Sequence, residues 1–306
     1  MSEILIKFKN LNWFFVFMIS FLSFVGFVMI YSATYGSESK ILISHVYKII
    51  LGFVIMIFFG LVEIEFWKKN AYLLYALGLI LLIIVSFYGY LGKGARRWID
   101  FYGLNVQPSE IMKIFLIVSL AKFFGILGFL SLIITPYLWG GLKEYQKQRI
   151  LTLFNPENDP LGSGYHIIQS QIAVGSGGIF GKGWAKGTQS HLDFLPEKHT
   201  DFIFSMLGEE FGFFGTLSVV GLICIITYMS YLITSKFIHD NFCRIVGYGI
   251  ITNFFFAAFI NMSMVIGILP IVGLPLPLVS YGGSSMITYF LGFGIILSLE
   301  RTRKYN

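Results

Sequence analysis

An all-α polytopic membrane fold follows from three properties of the sequence: high hydropathy, sparse charge and recurrent long apolar runs. Of its 306 residues, 56% are hydrophobic and 12% charged, against about 25% charged in soluble domains. Runs of roughly 18 or more apolar residues recur, each long enough to cross a hydrocarbon core of about 30 Å as a helix. Such runs must be helical, because lipid offers backbone polar groups no external partner. The net charge of +6 is spread over short loops rather than gathered into a patch or stripe, so no nucleic-acid partner is expected. Cys224 and Cys243 lie in or beside apolar segments and read as packing residues rather than a disulfide.

The first span, residues 11–31, follows a short basic head with Lys7 and Lys9. Its apolar length exceeds the core of about 7–15 residues in a cleavable signal, so it reads as a retained anchor. Further spans are expected at residues 46–61, 71–90, 202–233, 246–269 and 285–299. The apolar stretch 111–139 is long for one crossing and short for two. Placing Lys7, Lys9, Lys68, Lys69, Lys122, Lys236, Arg244, Arg301, Arg303 and Lys304 inside requires that it cross twice, turning near residues 122–125. The short outer loops then hold Lys40, Lys48, Lys93, Arg96 and Arg97. This arrangement gives about eight helices in one membrane domain, residues 1–306, with both termini cytoplasmic and a large extracytoplasmic loop at 140–200. Seven spans, the alternative, would put the basic tail outside.

Three polar segments share the outer face. Residues 92–109 carry Lys93, Arg96 and Arg97 among glycines. Paired guanidinium forks suit a phosphate or pyrophosphate, and they equally suit lipid headgroups, with Trp98 and Tyr102 as interfacial anchors. Pro108-Ser109-Glu110 opens a helix with Ser109 as expected N-cap, and Lys113 shares a face with Glu110. Lys113 is also a candidate partner for Glu209 or Glu210, adjacent carboxylates that must face protein or water. In the long loop, residues 165–174 predict a short amphipathic helix on the membrane surface. The glycine cluster 175–183 is no nucleotide loop, since Gly183 rather than Ser or Thr follows Lys182. Asp201 enters the membrane at a helix start, where it serves as an N-cap or a functional carboxylate. His199 precedes it. No His/Cys cluster shows metal-ligand spacing. The proline- and glycine-broken segment 267–285 is tolerated at membrane depth only if it is buried in protein or lines a cavity.

Taken in order, G-A-R-R-W, Q-P-S-E, D-P-L-G-S-G-Y-H-I-I-Q-S, G-K-G-W, L-P-E-K-H-T-D-F-I-F, G-E-E-F-G and P-L-P-L-V-S-Y-G-G-S-S resemble the SEDS family (shape, elongation, division and sporulation). The resemblance covers nearly the whole chain and is closest to the elongation branch. It implies an inverting glycosyltransferase that polymerises lipid II into glycan strands at the outer face of the bacterial cytoplasmic membrane. It implies Asp201 as the essential carboxylate, and a class B penicillin-binding protein and the elongation machinery as partners. Under it, Arg96, Arg97, Lys113, Glu110, Gln107, His199, Glu209 and Ser280 are the expected substrate contacts. A divalent cation, magnesium or manganese, is the one cofactor that this chemistry leaves room for, to stabilise the charge of the pyrophosphate.

The chain departs from the family pattern at one place. Members usually have ten spans, with a Q-P-D-L-G-T-A-like loop between the two middle helices; here residues 116–124 run almost directly into 126–139. Two helices are missing, which leaves the topology unchanged. Two rival readings of the same residues stay open: a transporter of the lipid-linked precursor, and a non-catalytic scaffold for the crosslinking enzyme.

Overall fold

The computed structural model describes residues 3–34, 39–92, 95–101, 104–122, 163–191 and 198–305. Among them, six helices are long and apolar enough to cross a membrane: Trp13–Ala33, Lys40–Leu61, Ile64–Tyr88, Ile203–Thr234, Asn241–Val265 and Gly283–Thr302. The helices are α1 (Glu3–Lys9), α2 (Trp13–Ala33), α3 (Ser39–Leu61), α4 (Ile64–Tyr88), α5 (Pro108–Lys122), α6 (Ser163–Ser176), α7 (Thr188–His191), α8 (Ile203–Thr234), α9 (Asn241–Val265) and α10 (Gly283–Tyr305). Strands β1 (Tyr90–Gly92), β2 (Ala95–Phe101) and β3 (Leu104–Val106) form an antiparallel meander between α4 and α5.

Polar contacts sort the helix ends into two faces. Lys7 pairs with Glu63 at 3.1 Å, Asn12 Nδ2 donates to Glu300 at 3.1 Å, and Arg301 and Ser298 both donate to the Val62 carbonyl. Those contacts place the end of α1, the start of α2, the α3–α4 turn and the end of α10 on one face, the terminal face. Lys122 donates to the Lys69 carbonyl at 3.4 Å, which adds the end of α5 to it. Asp240, between α8 and α9, lines a cleft there with Lys68 and Lys122. The outer ends of α2, α3, α8, α9 and α10, the sheet and α6 therefore belong to the opposite face.

The expected return after residues 122–125 falls outside the described residues. The described chain stops at Lys122 on the terminal face and resumes at Ser163 on the opposite one. That agrees with eight crossings, α5 being a short one at 15 residues, about 22 Å.

Close helix contacts explain much of the glycine. Gly52 on α3 leaves room for the Phe290 ring on α10, and Gly294 on α10 lets the Met56 carbonyl approach. Small residues bring membrane helices together in this way, where lipid supplies no hydrophobic drive between them. Trp67, Phe15, Phe254, Phe290 and Phe293 fill the interior, whereas most aromatic side chains of α2 and α4 face outward, as lipid-facing residues should.

Asp240 caps α9, accepting from Phe242 N–H at 3.0 Å and Cys243 N–H at 3.2 Å. Burial works to raise its carboxyl, but bonds from the Cys243 thiol and N–H, the Lys68 ammonium and Phe242 N–H hold it below the usual carboxylate range. Because the folded value is depressed, the cap is fully present above the range in which a free aspartate titrates, and it is lost as pH falls through the lower value. Asp240→Ala is expected to cost about 1 kcal/mol by thermal unfolding at neutral pH, with the gap to wild type closing in acid.

Candidate functional site

The opposite face gathers the sequence-predicted residues around two non-helical segments, residues 198–202 and 266–282. Asp201 lies half-buried in the turn before α8. It does not cap that helix: the cap position is Phe202, with no side-chain cap bond. Asp201 precedes that position by one residue. The backbone of its turn is held twice. Asn261 of α9 donates from Nδ2 to the Asp201 carbonyl at 2.9 Å and to the Leu274 carbonyl at 2.6 Å. Two residues earlier, the His199 carbonyl accepts from Tyr281 N–H at 2.8 Å, and the two rings meet edge-on at 6.2 Å. The turn carrying Asp201 is thus laid against the broken segment along its length.

The broken segment is buried in protein, as its composition predicts. Leu278 is 1% exposed and adopts φ +64°, a conformation that costs a non-glycine residue energy unless its surroundings impose it. Gly26 of α2 supplies part of that surrounding: a Cβ there would lie 2.7 Å from Val279 Cα. Ser280, expected to contact substrate, is 2% exposed and accepts from Leu276 N–H at 2.8 Å. Its hydroxyl shapes the loop.

Glu209 is also turned into the protein. Its Oε1 accepts from Lys182 Nζ at 2.8 Å, Thr188 N–H at 2.7 Å, Thr188 Oγ1 at 3.0 Å and Gln189 N–H at 2.9 Å. It thereby satisfies the first N–H groups of α7, which a helix leaves without internal partners. Glu210 accepts from Ser32 Oγ on α2 at 2.7 and 2.9 Å. Neither pairs with Lys113, whose ammonium lies 2.8 Å from Glu110 one turn away. That corrects the expected pairing; the shared face of residues 110 and 113 supplies a nearer carboxylate.

Long-loop residues 140–162 and 192–197 lie outside the described residues. In the described part, α6 packs against α8 and α9 instead of resting on the membrane surface alone. Ser170 Oγ donates to the Val265 carbonyl at 2.8 Å and Gln171 Nε2 to that of Ile266 at 3.2 Å, so the Q-S-Q of the loop motif closes the end of α9. The glycine cluster docks backbone to backbone on α8: Lys182 and Gly183 N–H donate to the Glu209 and Glu210 carbonyls at 3.0 Å each, and Phe213 N–H to Gly178 O at 2.9 Å. Gly212, at φ +65° and ψ −158°, breaks α8 to make those carbonyls available.

Arg96 and Arg97 lie on β2, with Leu91 opposite Arg96. Asn105 on β3 meets Gly283 at the start of α10, which brings the sheet to the edge of the broken segment. Gln107 is half-buried and accepts from Glu110 N–H through its carbonyl at 3.0 Å. The helix opens at Pro108, which needs no N–H partner at that position; Ser109 lies within the first turn and is not the cap.

The structure adds Lys48, counted from sequence among the outer-loop cations. Helix α3 begins at Ser39, earlier than the span expected from residue 46, so Lys48 lies inside it and is 5% exposed. Its Nζ lies 4.0 Å from the Tyr281 ring centroid. An ionisable side chain inside a span was the available signal.

The fold and site define a polytopic membrane protein with a carboxylate held at one membrane face. The chain belongs to the FtsW/RodA/SpoVE family of cell cycle proteins, whose sequence profile matches residues 12–128 and 122–305. It is 36% identical to the peptidoglycan glycosyltransferase MrdB of Escherichia coli over 334 aligned positions, covering 90% of each chain. It is 33% identical to a probable peptidoglycan glycosyltransferase FtsW of Geobacter metallireducens, covering 91% of this chain and 92% of that one. A chain from a peptidoglycan synthase complex that coordinates polymerisation and crosslinking superposes with a TM-score of 0.79 at 27% identity, covering 97% and 99%. The Thermus thermophilus rod shape determining protein RodA gives 0.68 at 26%, covering 96% and 97%. The profile matches in two segments that overlap at residues 122–128, and the MrdB alignment, at 334 positions, is longer than the 306-residue chain.

Proposed function

We infer that the chain is a peptidoglycan glycosyltransferase that polymerises lipid II for cell elongation at the outer face of the cytoplasmic membrane. The placement of Asp201 carries this reading. It is a half-buried carboxylate one residue ahead of the α8 cap position, on a turn clamped by Asn261 and Tyr281, in a chain that belongs to a family with peptidoglycan glycosyltransferases in it.

Asp201 acts as general base. It takes the proton of an acceptor sugar hydroxyl as that oxygen bonds the donor's anomeric carbon from the face opposite the leaving group. The bond from that carbon to the lipid pyrophosphate breaks in the same step, with inversion. Arg96 and Arg97, on the strand bordering this face, supply positive charge for the departing pyrophosphate, and the Lys113–Glu110 pair lies in the first turns of α5 beneath the sheet. Among the described residues no three His, Cys, Asp or Glu side chains converge as metal ligands.

Orientation follows from charge: Lys7, Lys68, Lys122 and Arg301 share the terminal face, which supports placing it and both termini in the cytoplasm. A crosslinking class B penicillin-binding protein is the partner this reading assigns, supported by the similar chain in a polymerising and crosslinking complex. The test is glycan-strand formation from lipid II by the purified chain with that partner in detergent. Polymer is expected; a transporter or scaffold would form none where no membrane separates two sides.

A further inference from the structure

A buried ammonium in a membrane helix is costly and persists where it is paired or used. Lys48 is such a group. Its ammonium sits over the Tyr281 ring, and one turn earlier Ser44 accepts from Tyr281 Oη at 3.2 Å. Residues four apart share a helix face, so one face of α3 grips the tyrosine at both its ring and its hydroxyl. The backbone of the same tyrosine holds the His199 carbonyl, two residues from Asp201. His45, on the neighbouring turn, is fully buried, 6.1 Å from the Tyr281 ring and without a hydrogen-bond partner for either ring nitrogen. The surroundings of the ammonium thus offer it the tyrosine face as its attractive contact.

We propose that Lys48 is a positioning residue for the catalytic turn: its ammonium fixes the Tyr281 ring, and Tyr281 fixes the turn bearing Asp201. The proposal rests on the glycosyltransferase reading of Asp201. The brace runs from α3 to Tyr281 to His199, independently of the Asn261 clamp on the other flank of the turn. A filler role would be served by any side chain of that length. A brace needs a cation, and a guanidinium, which also sits well on aromatic faces, should replace it.

The experiment compares wild type, Lys48→Met, Lys48→Arg, Tyr281→Leu and the Lys48→Met/Tyr281→Leu double variant, each purified with the penicillin-binding partner. Polymerisation kinetics, amide hydrogen exchange and thermal unfolding are measured on each. Lys48→Met is expected to lower kcat about tenfold, as misplacement of a reacting group does, with KM changed by less than about twofold. Exchange should rise in peptides spanning residues 198–203 and 276–283 and nowhere else. Lys48→Arg should restore both, and the double variant should be no slower than Tyr281→Leu alone. Wild-type kcat and exchange in Lys48→Met overturn the brace. So does exchange raised across the whole protein with lowered thermal stability, which marks a packing residue. If wild type polymerises, Asp201→Asn does not and Lys48→Met is unimpaired, the brace fails and the enzyme reading stands. If wild type forms no polymer, that reading fails, and exchange still decides the brace.

Discussion

Replacing Asp201 by asparagine is expected to remove polymerisation while leaving the protein folded. The amide has nearly the shape of the carboxylate but cannot take a proton. Loss of a general base costs about 10²–10⁴-fold in rate, and the loss should fall on kcat rather than KM. The backbone clamp on the turn is unchanged by the substitution. Asp201 contributes its backbone carbonyl, not its carboxylate, to the Asn261 clamp, and α8 takes its cap position at Phe202 without a side-chain bond. Thermal unfolding should stay within about 1 kcal/mol of wild type, the centre of the usual range for a point substitution, because the amide is nearly isosteric. Polymer yield from purified complex, with unfolding measured alongside, gives the comparison. A variant that retains activity within about tenfold would remove Asp201 from the proton transfer, since that is below the usual effect of general-base loss.

The spans were legible because lipid imposes a length and a composition that a sliding window reads directly. What the window misread is instructive at α3. Lys40, His45 and Lys48 depress local hydropathy, so the span was expected from residue 46, whereas the helix begins at Ser39 and turns His45 and Lys48 inward. Hydropathy treats a cation as a sign of water; within a bundle its partner can be an aromatic face. The meander at residues 90–106 was missed for a different reason. Its strands are short, and the sequence holds Lys-Gly and Tyr-Gly pairs at 93–94 and 102–103, a pattern that favours hairpins. That signal was present but was read as loop. For the carboxylates, adjacency and depth showed that Glu209 and Glu210 face inward, but not against what. Lys182 is 27 residues from Glu209 in sequence, and Ser32 is 178 from Glu210; only folding makes either pair neighbours. At Asp201 the motif marks a candidate carboxylate, while the cap position one residue later needed the backbone of Phe202.

The second large effect is expected at Gly181, where substitution by alanine should loosen the whole loop beside the site. Gly181 has φ +79°, and a Cβ there would fall on the Glu210 carbonyl and lie within 2.6 Å of Phe211 N. Those atoms are backbone and cannot swing aside as the end of a side chain would. Left-handed conformation costs an alanine roughly 1–2 kcal/mol and overpacking roughly 1–3 more, so a loss of about 2–5 kcal/mol is expected. The mechanism is specific: the clash pushes residues 181–183 off α8, breaking the Lys182 and Gly183 N–H bonds to the Glu209 and Glu210 carbonyls. Lys182 then leaves Glu209, and the carboxylate loses the contact that ties it to the loop ahead of α7. Gly175, five residues after Ser170 in the same loop, supplies the control. It lies in α6 with nothing within 4 Å of a built Cβ, so alanine there should be neutral or stabilise by up to about 1 kcal/mol through helix propensity. Thermal unfolding of the two variants in detergent separates docking from glycine content. Equal midpoints for Gly181→Ala and Gly175→Ala would mean that the glycine cluster does not hold the loop on α8. A lowered midpoint for Gly181→Ala alone, with polymerisation lost in parallel, would make that backbone joint the structural support of the outer face.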